Sequence, residues 1–195
     1  MATAAPAYPV TFDVEYPERL SRWKVVFKAW LLALPAWVML YIVASAIQYV
    51  VPFVFFSILF RRRYPRWCFD FLLTLYKYQY RVIAYAFNLW RDEYPALEDP
   101  QAITLDIQYP EADTLNRWLP LVKWLLAIPH YIVLFFLFIV ELAVLVVAWF
   151  AILFTARYPK GLFDFTVGIN RWGLRVTAYA FLLMRDEYPP FSLAP

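Results

Sequence analysis

The sequence contains an internal repeat, in which the second copy follows the first at a displacement of about 94 residues. A sequence that repeats over its whole length folds as equivalent units. We therefore expect a first unit at residues 1–95, a linker at residues 96–101 and a second unit at residues 102–195. The matching segments include Trp30 to Pro35 with Trp124 to Pro129, Phe69 to Phe71 with Phe163 to Phe165, and Arg91 to Pro95 with Arg185 to Pro189.

Each unit contains a long apolar segment, at Pro35 to Phe60 and at Pro129 to Phe154. A helix of about 26 residues extends about 39 Å, which exceeds the roughly 30 Å hydrocarbon core of a bilayer. Hydrophobic residues make up 64% of the 195 residues and charged residues 17%, a balance that a water-soluble domain of this size cannot bury. The single Cys68 and single His130 exclude a disulfide scaffold and a zinc or iron–sulfur site.

The order of elements within a unit follows from local patterns. Polar and apolar residues alternate at 10–15 and 103–108, which predicts short strands. Because these segments match, we expect each to pair either with the other or with a strand of another protein. Pro17 is well placed to begin a short basic helix. The sequence therefore predicts an all-α integral membrane protein built by tandem duplication. Each unit has a short strand, a basic leading helix, a long apolar transmembrane helix and an amphipathic helix.

The second helix of each unit carries a polar stripe, and the sequence leaves its relation to the bilayer open. The stripe faces either other helices within the bilayer or the headgroups. Matching flanks favour four crossing helices, two in each unit. Basic residues at both ends of the first apolar helix favour instead a hairpin bent near Gln48 to Pro52, or second helices that lie in the interface.

The residues also resemble a known family, the bacterial membrane proteins grouped as domain of unknown function family 4389. The resemblance covers nearly the whole chain, and the first copy is the divergent one, with Ala36 in place of the histidine. It implies a helical membrane protein of the bacterial cytoplasmic membrane, and it implies no activity or cofactor. The segments that carry it are Trp124 to His130, Ala148 to Thr155, Arg157 to Phe165 and Asp186 to Leu193.

Two groups of charged residues are candidate binding positions. The dense basic cluster Arg61, Arg62, Arg63 with Arg66 predicts contact with anionic lipid headgroups. The second group consists of intramembrane polar residues at helix-packing positions, where a charge needs a protein partner. Its members are Asp70, Lys77, Arg81, Glu141, Asp164, Arg171 and Arg175.

We expect each of these acids to find a partner on another element. Asp70 and Lys77, like Asp164 and Arg171, are seven residues apart, too far for an ideal pair within one helix. Glu141 lies in an apolar run, and either it forms a proton or cation site or it packs against Arg171, Arg175 or a neighbouring subunit. His130 is expected to be an interfacial hydrogen-bonding residue. The seven Tyr-Pro pairs are expected to end helices and to place tyrosine hydroxyls at headgroup level.

The sequence offers no nucleophile with a base, no phosphate loop and no metal-ligand cluster, so we expect no enzyme, cofactor or metal. A formal charge of +3 is modest for a nucleic-acid partner. The leading hypothesis is a non-enzymatic membrane scaffold or accessory subunit of a larger membrane protein complex, with basic edges on anionic lipid. The alternative is a small transporter or lipid-handling protein with a pathway between the two striped helices.

Overall fold

The structure, a computed structural model, describes residues 8–96, 102–111 and 115–195. The predicted linker at 96–101 lies, apart from Ala96, outside the described residues. The first copy contains β1 (Val10–Val14), α1 (Arg22–Phe27), a π-helical turn (Lys28–Leu32), α2 (Leu34–Arg61), α3 (Arg66–Val82) and a second π-helical turn (Ile83–Phe87). The second contains β2 (Ile103–Ile107), α4 (Leu119–Leu126), α5 (Ile128–Thr155) and α6 (Lys160–Ala180).

The long apolar helices α2 and α5 are present as predicted, each with 28 residues. The α2 helix continues through Pro52, so the hairpin bent at Gln48 to Pro52 does not form. Both helices end at a residue in the left-handed conformation, Arg62 with φ 54° and Ala156 with φ 58°. A left-handed residue stops helix propagation while its N–H still reaches the last turn. The amphipathic helices then begin after Pro65 and Pro159, whose backbone is extended.

The prediction that Pro17 begins the first helix is wrong. The α1 helix begins at Arg22, and Ser21 is its cap, with Oγ accepting a hydrogen bond from the Lys24 N–H at 3.4 Å. A serine side chain satisfies a free N–H of the first turn, which proline at position 17 cannot do.

The two strands pair with each other, which is one of the two pairings expected from their matching sequences. They form an antiparallel ribbon in which Phe12 lies opposite Leu105. The strand of each copy packs on the amphipathic helix of the other copy, β1 on α6 and β2 on α3. The main hydrophobic core therefore contains residues of both copies, including Phe12, Trp90 and Phe163, and the copies do not pack independently.

The amphipathic helices form a middle layer between the ribbon and the long helices. On α6, Arg171 contacts β1, and Lys160 lies over the ring of Tyr16, two residues after β1. Asn170 and Val176 face α5. The helical repeat of 3.6 residues places these two sets on opposite sides of α6.

The α3 helix is arranged in the same way. Tyr80 packs on Phe12 of the ribbon with ring centroids 4.9 Å apart, whereas Tyr78 and Val82 belong to a cluster with Val43 of α2. The described chain is thus a three-layer slab, with α2 and α5 on one side, α3 and α6 in the middle and the ribbon on the other side.

Candidate functional site: two opposed surfaces

The outer surface of the long helices is apolar and exposed. Of the most hydrophobic 18-residue segment of either helix, only 17% is buried inside the protein. Within the described residues, α2 and α5 are the two helices long and apolar enough to cross a membrane. We call this surface the apolar face. Its large exposed side chains include Val38, Ile42, Tyr49, Phe53, Phe56, Phe60, Ile132, Phe135, Phe136, Ile139, Leu142, Val146, Phe150 and Phe154.

The outer surface of the ribbon is polar. Alternation along the strands turns Phe12, Leu105 and Ile107 toward the core and leaves Thr11, Asp13, Thr104 and Asp106 exposed. Glu15, directly after β1, is also exposed. We call these five exposed residues the ribbon face. It lies on the side of the slab opposite the apolar face.

Arg171 holds the ribbon on the middle layer. Its guanidinium Nε donates to the Phe12 carbonyl at 2.7 Å, and Nη2 donates to Asp13 Oδ1 at 3.0 Å. The remaining Nη1 donates to the Leu193 carbonyl at 3.0 Å. The planar fork of an arginine can make all three bonds together, so this buried cation joins β1, α6 and the C-terminal tail.

Arg175, one helical turn after Arg171, also binds the C-terminal tail. Its Nη2 donates to the Ala194 carbonyl at 2.9 Å. Gly168 allows the tail to approach α6, because a Cβ there would lie 3.1 Å from the Leu193 carbonyl oxygen. In the first copy, Arg81 Nη1 donates to the Ala96 carbonyl at 2.5 Å, and Lys77, the counterpart of Arg171, is half-buried.

The prediction that Asp70 and Asp164 pair with residues of another element is wrong. Asp70 accepts from Arg66 Nε at 3.2 Å, and Asp164 lies 3.7 Å from Lys160 Nζ. Both pairs span four residues of one helix and are largely exposed, the usual arrangement of a solvated ion pair. Arg171 takes its acid from β1 instead, because the exchange of strands between copies brings Asp13 onto α6.

Glu141 also has a different partner from those predicted. Asn170 Nδ2 donates to Glu141 Oε1 at 2.6 Å inside the protein, and neither Arg171 nor Arg175 contacts this carboxylate. His130 is fully buried inside the protein and makes a hydrogen bond, as expected. Its Nδ1 accepts from Trp172 Nε1 at 3.0 Å, and its ring stacks on Phe191 with centroids 3.9 Å apart.

Two buried lysines form a pair of equivalent sites that the sequence analysis missed. Lys123 Nζ lies 2.7 Å from Asp186 Oδ1 and donates to the Arg185 carbonyl at 2.5 Å. Lys28 contacts Asp92 and the Arg91 carbonyl in the same way. Burial lowers the pKa of both ammonium groups, against the opposing effect of the paired aspartates.

The sequence does contain a signal that these lysines are equivalent: the displacement between the two copies changes by one residue at this point. Trp30 matches Trp124 at a displacement of 94, but Lys28 matches Lys123 at 95. The first copy thus has one additional residue, and the π-helical turn at Lys28–Leu32 absorbs it, as π-bulges do. With this turn, Lys28 lies 5.0 Å from the Tyr85 ring centroid, equivalent to the position of Lys123 at 5.1 Å from that of Tyr179.

The Tyr-Pro pairs lie at segment boundaries, but their hydroxyls connect the copies and are not all at the surface. The buried Tyr64 hydroxyl donates to the Leu182 carbonyl at 3.0 Å. Tyr16 donates to the Tyr158 carbonyl at 2.5 Å, and Tyr109 donates to that of Tyr64. The headgroup-level placement is therefore wrong for Tyr64 and Tyr158, which are buried.

The basic cluster lies at one end of α2. Arg61, Arg62, Arg63 and Arg66 are all exposed. Arg66 is the most constrained of the four, with its guanidinium 4.6 Å from the Tyr109 ring centroid and paired to Asp70.

No group of three or more potential metal ligands occurs within residues 8–96, 102–111 and 115–195. The comparison with known families gives two matches to one family, described as domain of unknown function (DUF4389), at residues 22–96 and 118–192. No curated protein and no solved structure matches the chain. The two matches correspond to the two copies recognised in the sequence and cover most of the chain, which therefore belongs to the DUF4389 family as a tandem pair.

Proposed function

We propose that this protein is a non-enzymatic scaffold or accessory subunit embedded in the bacterial cytoplasmic membrane. The observation that carries the proposal is the segregation of its two surfaces, the apolar face on α2 and α5 and the ribbon face opposite. Such a chain is anchored through one surface and offers the other to a partner. Apolar patches of this extent mark membrane or protein contacts.

The buried charges support a structural role. Arg171, Lys28 and Lys123 each bind a carboxylate and a backbone carbonyl of another segment. A cation bound at once to a carboxylate and a carbonyl is held in place. These residues thus fix the ribbon and the segment that follows the amphipathic helix in each copy, and they give the ribbon face a rigid support.

The partner is proposed to be a membrane protein that docks on the ribbon face. Asp106→Lys reverses one charge there, whereas Glu18→Lys makes the same change at an exposed position outside the ribbon. Affinity purification at native expression should recover a partner with the wild type and Glu18→Lys, and at least about tenfold less with Asp106→Lys, since like charges at an interface are strongly unfavourable. An undiminished partner with Asp106→Lys contradicts the docking surface.

The basic cluster is proposed to bind anionic lipid. Each cation near a charged bilayer contributes about 1 kcal/mol. Replacing Arg61, Arg62 and Arg63 together by glutamine should lower the number of anionic lipids retained in native mass spectrometry without unfolding the protein. An unchanged lipid complement at low ionic strength would reject this contact.

A lipid-handling protein is the second candidate, and one groove favours it. The groove has a volume of about 450 Å³ and opens between α3, α5 and α6. Its walls include Leu134, Phe138, Val176 and Phe181, with Asn170 as a polar group. A groove of this composition accepts an acyl chain, and transfer of a fluorescent phospholipid between vesicles by the isolated protein would favour this function over the scaffold.

A further inference from the structure

We infer that the chain inserts only its apolar face, into one leaflet, with α2 and α5 parallel to the bilayer plane, acyl chains against the apolar face and anionic headgroups around its rim. The inference rests on the membrane embedding proposed above and adds its geometry. It also replaces the arrangement of four crossing helices that the matching flanks of the two copies favoured.

The ribbon lies against α6 over more than three helical turns. Tyr8, before β1, lies beside Arg175, with the guanidinium 5.9 Å from the ring centroid. Tyr16, after β1, packs on Phe163 with centroids 5.1 Å apart. The ribbon therefore follows α6 over about 18 Å of its length.

The middle layer in turn follows the long helices. In the first copy, Trp37 near the start of α2 contacts Phe87 just after α3, with centroids 4.6 Å apart. Phe53 near the end of α2 contacts Trp67 at the start of α3, at 5.8 Å. Thus α3 runs antiparallel along α2. In the second copy, Tyr131 near the start of α5 contacts Phe181 just after α6, with centroids 5.8 Å apart, so α6 runs antiparallel along α5 and carries the ribbon beside the long helices.

This position of the ribbon beside the long helices decides between the two orientations. If α2 and α5 stood upright in the bilayer, the ribbon would stand beside them at bilayer depth. The exposed carboxylates of the ribbon face would then meet acyl chains, although the Asp13 side chain is 76% exposed and that of Glu15 is 75% exposed. Hydrocarbon cannot hydrogen-bond an ionised carboxylate. With the helices lying flat, the same carboxylates are in water and the apolar face alone meets lipid.

The charges at the helix ends agree with the flat orientation. Arg22 and Lys24 precede α2 and the basic cluster follows it, all exposed. Basic flanks remain on the cytoplasmic side, which a helix crossing once cannot satisfy at both ends. Exposed indoles of Trp23, Trp67, Trp118 and Trp124 lie near helix ends, as expected for rings at headgroup level.

A depth profile along α2 tests the inference. Single cysteines replace exposed residues of the apolar face, Val38, Ile42, Tyr49, Phe53 and Phe60, in a Cys68→Ala background, and each carries a nitroxide label. The labelled proteins are reconstituted into vesicles of phosphatidylethanolamine and phosphatidylglycerol. Thr104, on the ribbon face, provides the matched water-exposed control.

The flat orientation predicts similar depths for all five labels, about 5–10 Å below the headgroups. A profile that deepens to the bilayer centre and returns toward the opposite surface would overturn it, yet leave the proposed membrane embedding intact. Protein that fails to float with the vesicles would overturn both proposals.

A second measurement needs no substitution and so does not depend on the folding of variants. Polarised infrared spectroscopy of the wild-type protein in aligned bilayers of the same lipids reports the mean direction of the helix axes. The inference predicts axes close to the bilayer plane, and axes close to the bilayer normal would overturn it.

Discussion

At the residue scale, the polar side chains inside this protein join segments that are distant in sequence. Tyr64 of the first copy donates to a carbonyl of the second, and Arg171 of the second binds a carbonyl of the first. Buried polar groups are stable only when such partners are present. The internal polar network therefore holds the two copies in one arrangement.

The Tyr64 hydroxyl provides a direct test of this network. Tyr64→Phe removes the donor to the Leu182 carbonyl and keeps the ring that packs on Phe69. We expect the free energy of unfolding to fall by about 1 to 2 kcal/mol, because a buried carbonyl loses its partner. Tyr41→Phe, at an exposed tyrosine, should leave it unchanged in the same denaturant titration in lipid nanodiscs.

The buried ion pair of Lys123 should matter far more than an exposed one. Lys123→Met leaves Asp186 without its cation in a site that is 18% exposed, and we expect a loss of about 3 kcal/mol. Arg66→Met breaks an ion pair whose side chains are 66% and 55% exposed, and should cost less than about 1 kcal/mol. Equal losses in thermal unfolding would contradict the assignment of Lys123 as a structural cation.

The same lysine predicts a pH dependence. Its pKa in the folded protein lies below the ordinary value of 10.5, so between the two values the unfolded chain binds more protons. Stability must rise with pH wherever the unfolded state binds more protons. The difference in unfolding free energy between wild type and Lys123→Met should therefore increase as pH approaches 10.5 from below, and a decrease would contradict the lowered pKa.

At the element scale, most of the helices and both strands follow from the sequence, whereas their partners do not. The apolar runs predict α2 and α5, and the matching alternation predicts both strands and makes β1 with β2 one of the two expected pairings. The acid that Arg171 binds was not predictable, because Asp13 reaches it only through the exchange of strands. The buried lysines were missed because a single displacement was assumed for the whole repeat.

The π-helical turn at Lys28–Leu32 makes a testable prediction about this additional residue. Deleting Ala29 brings the spacing of Lys28 and Trp30 to that of Lys123 and Trp124. We expect an α-helical turn in its place and a stability within about 0.5 kcal/mol of wild type, since the lysine keeps its position and its ion pair. Circular dichroism and thermal unfolding measure both.

A matched deletion in the second copy is the control. Deleting Leu125 from α4, which has no surplus residue, rotates Lys123 away from Asp186 and should destabilise the protein by about 3 kcal/mol, as loss of the buried pair does. Equal effects of the two deletions would contradict the interpretation of the π turn.

At the scale of the whole molecule, duplication and strand exchange produce a slab with surfaces of opposite character. Two equivalent long helices form the apolar face, and the two strands form the ribbon face. Neither surface arises from one copy alone, because each strand is supported by the amphipathic helix of the other copy. The proposed anchoring and docking are therefore properties of the tandem pair.

The most direct test of this account measures which solvent each face meets. Nitroxide labels at Ile42 and Val146 sample the apolar face, and labels at Thr11 and Thr104 sample the ribbon face. In vesicles, power-saturation spectroscopy compares collisions with oxygen, which dissolves in lipid, and with a water-soluble nickel complex. The account predicts oxygen contact at Ile42 and Val146 and nickel contact at Thr11 and Thr104, and nickel contact of equal strength at all four positions would contradict it.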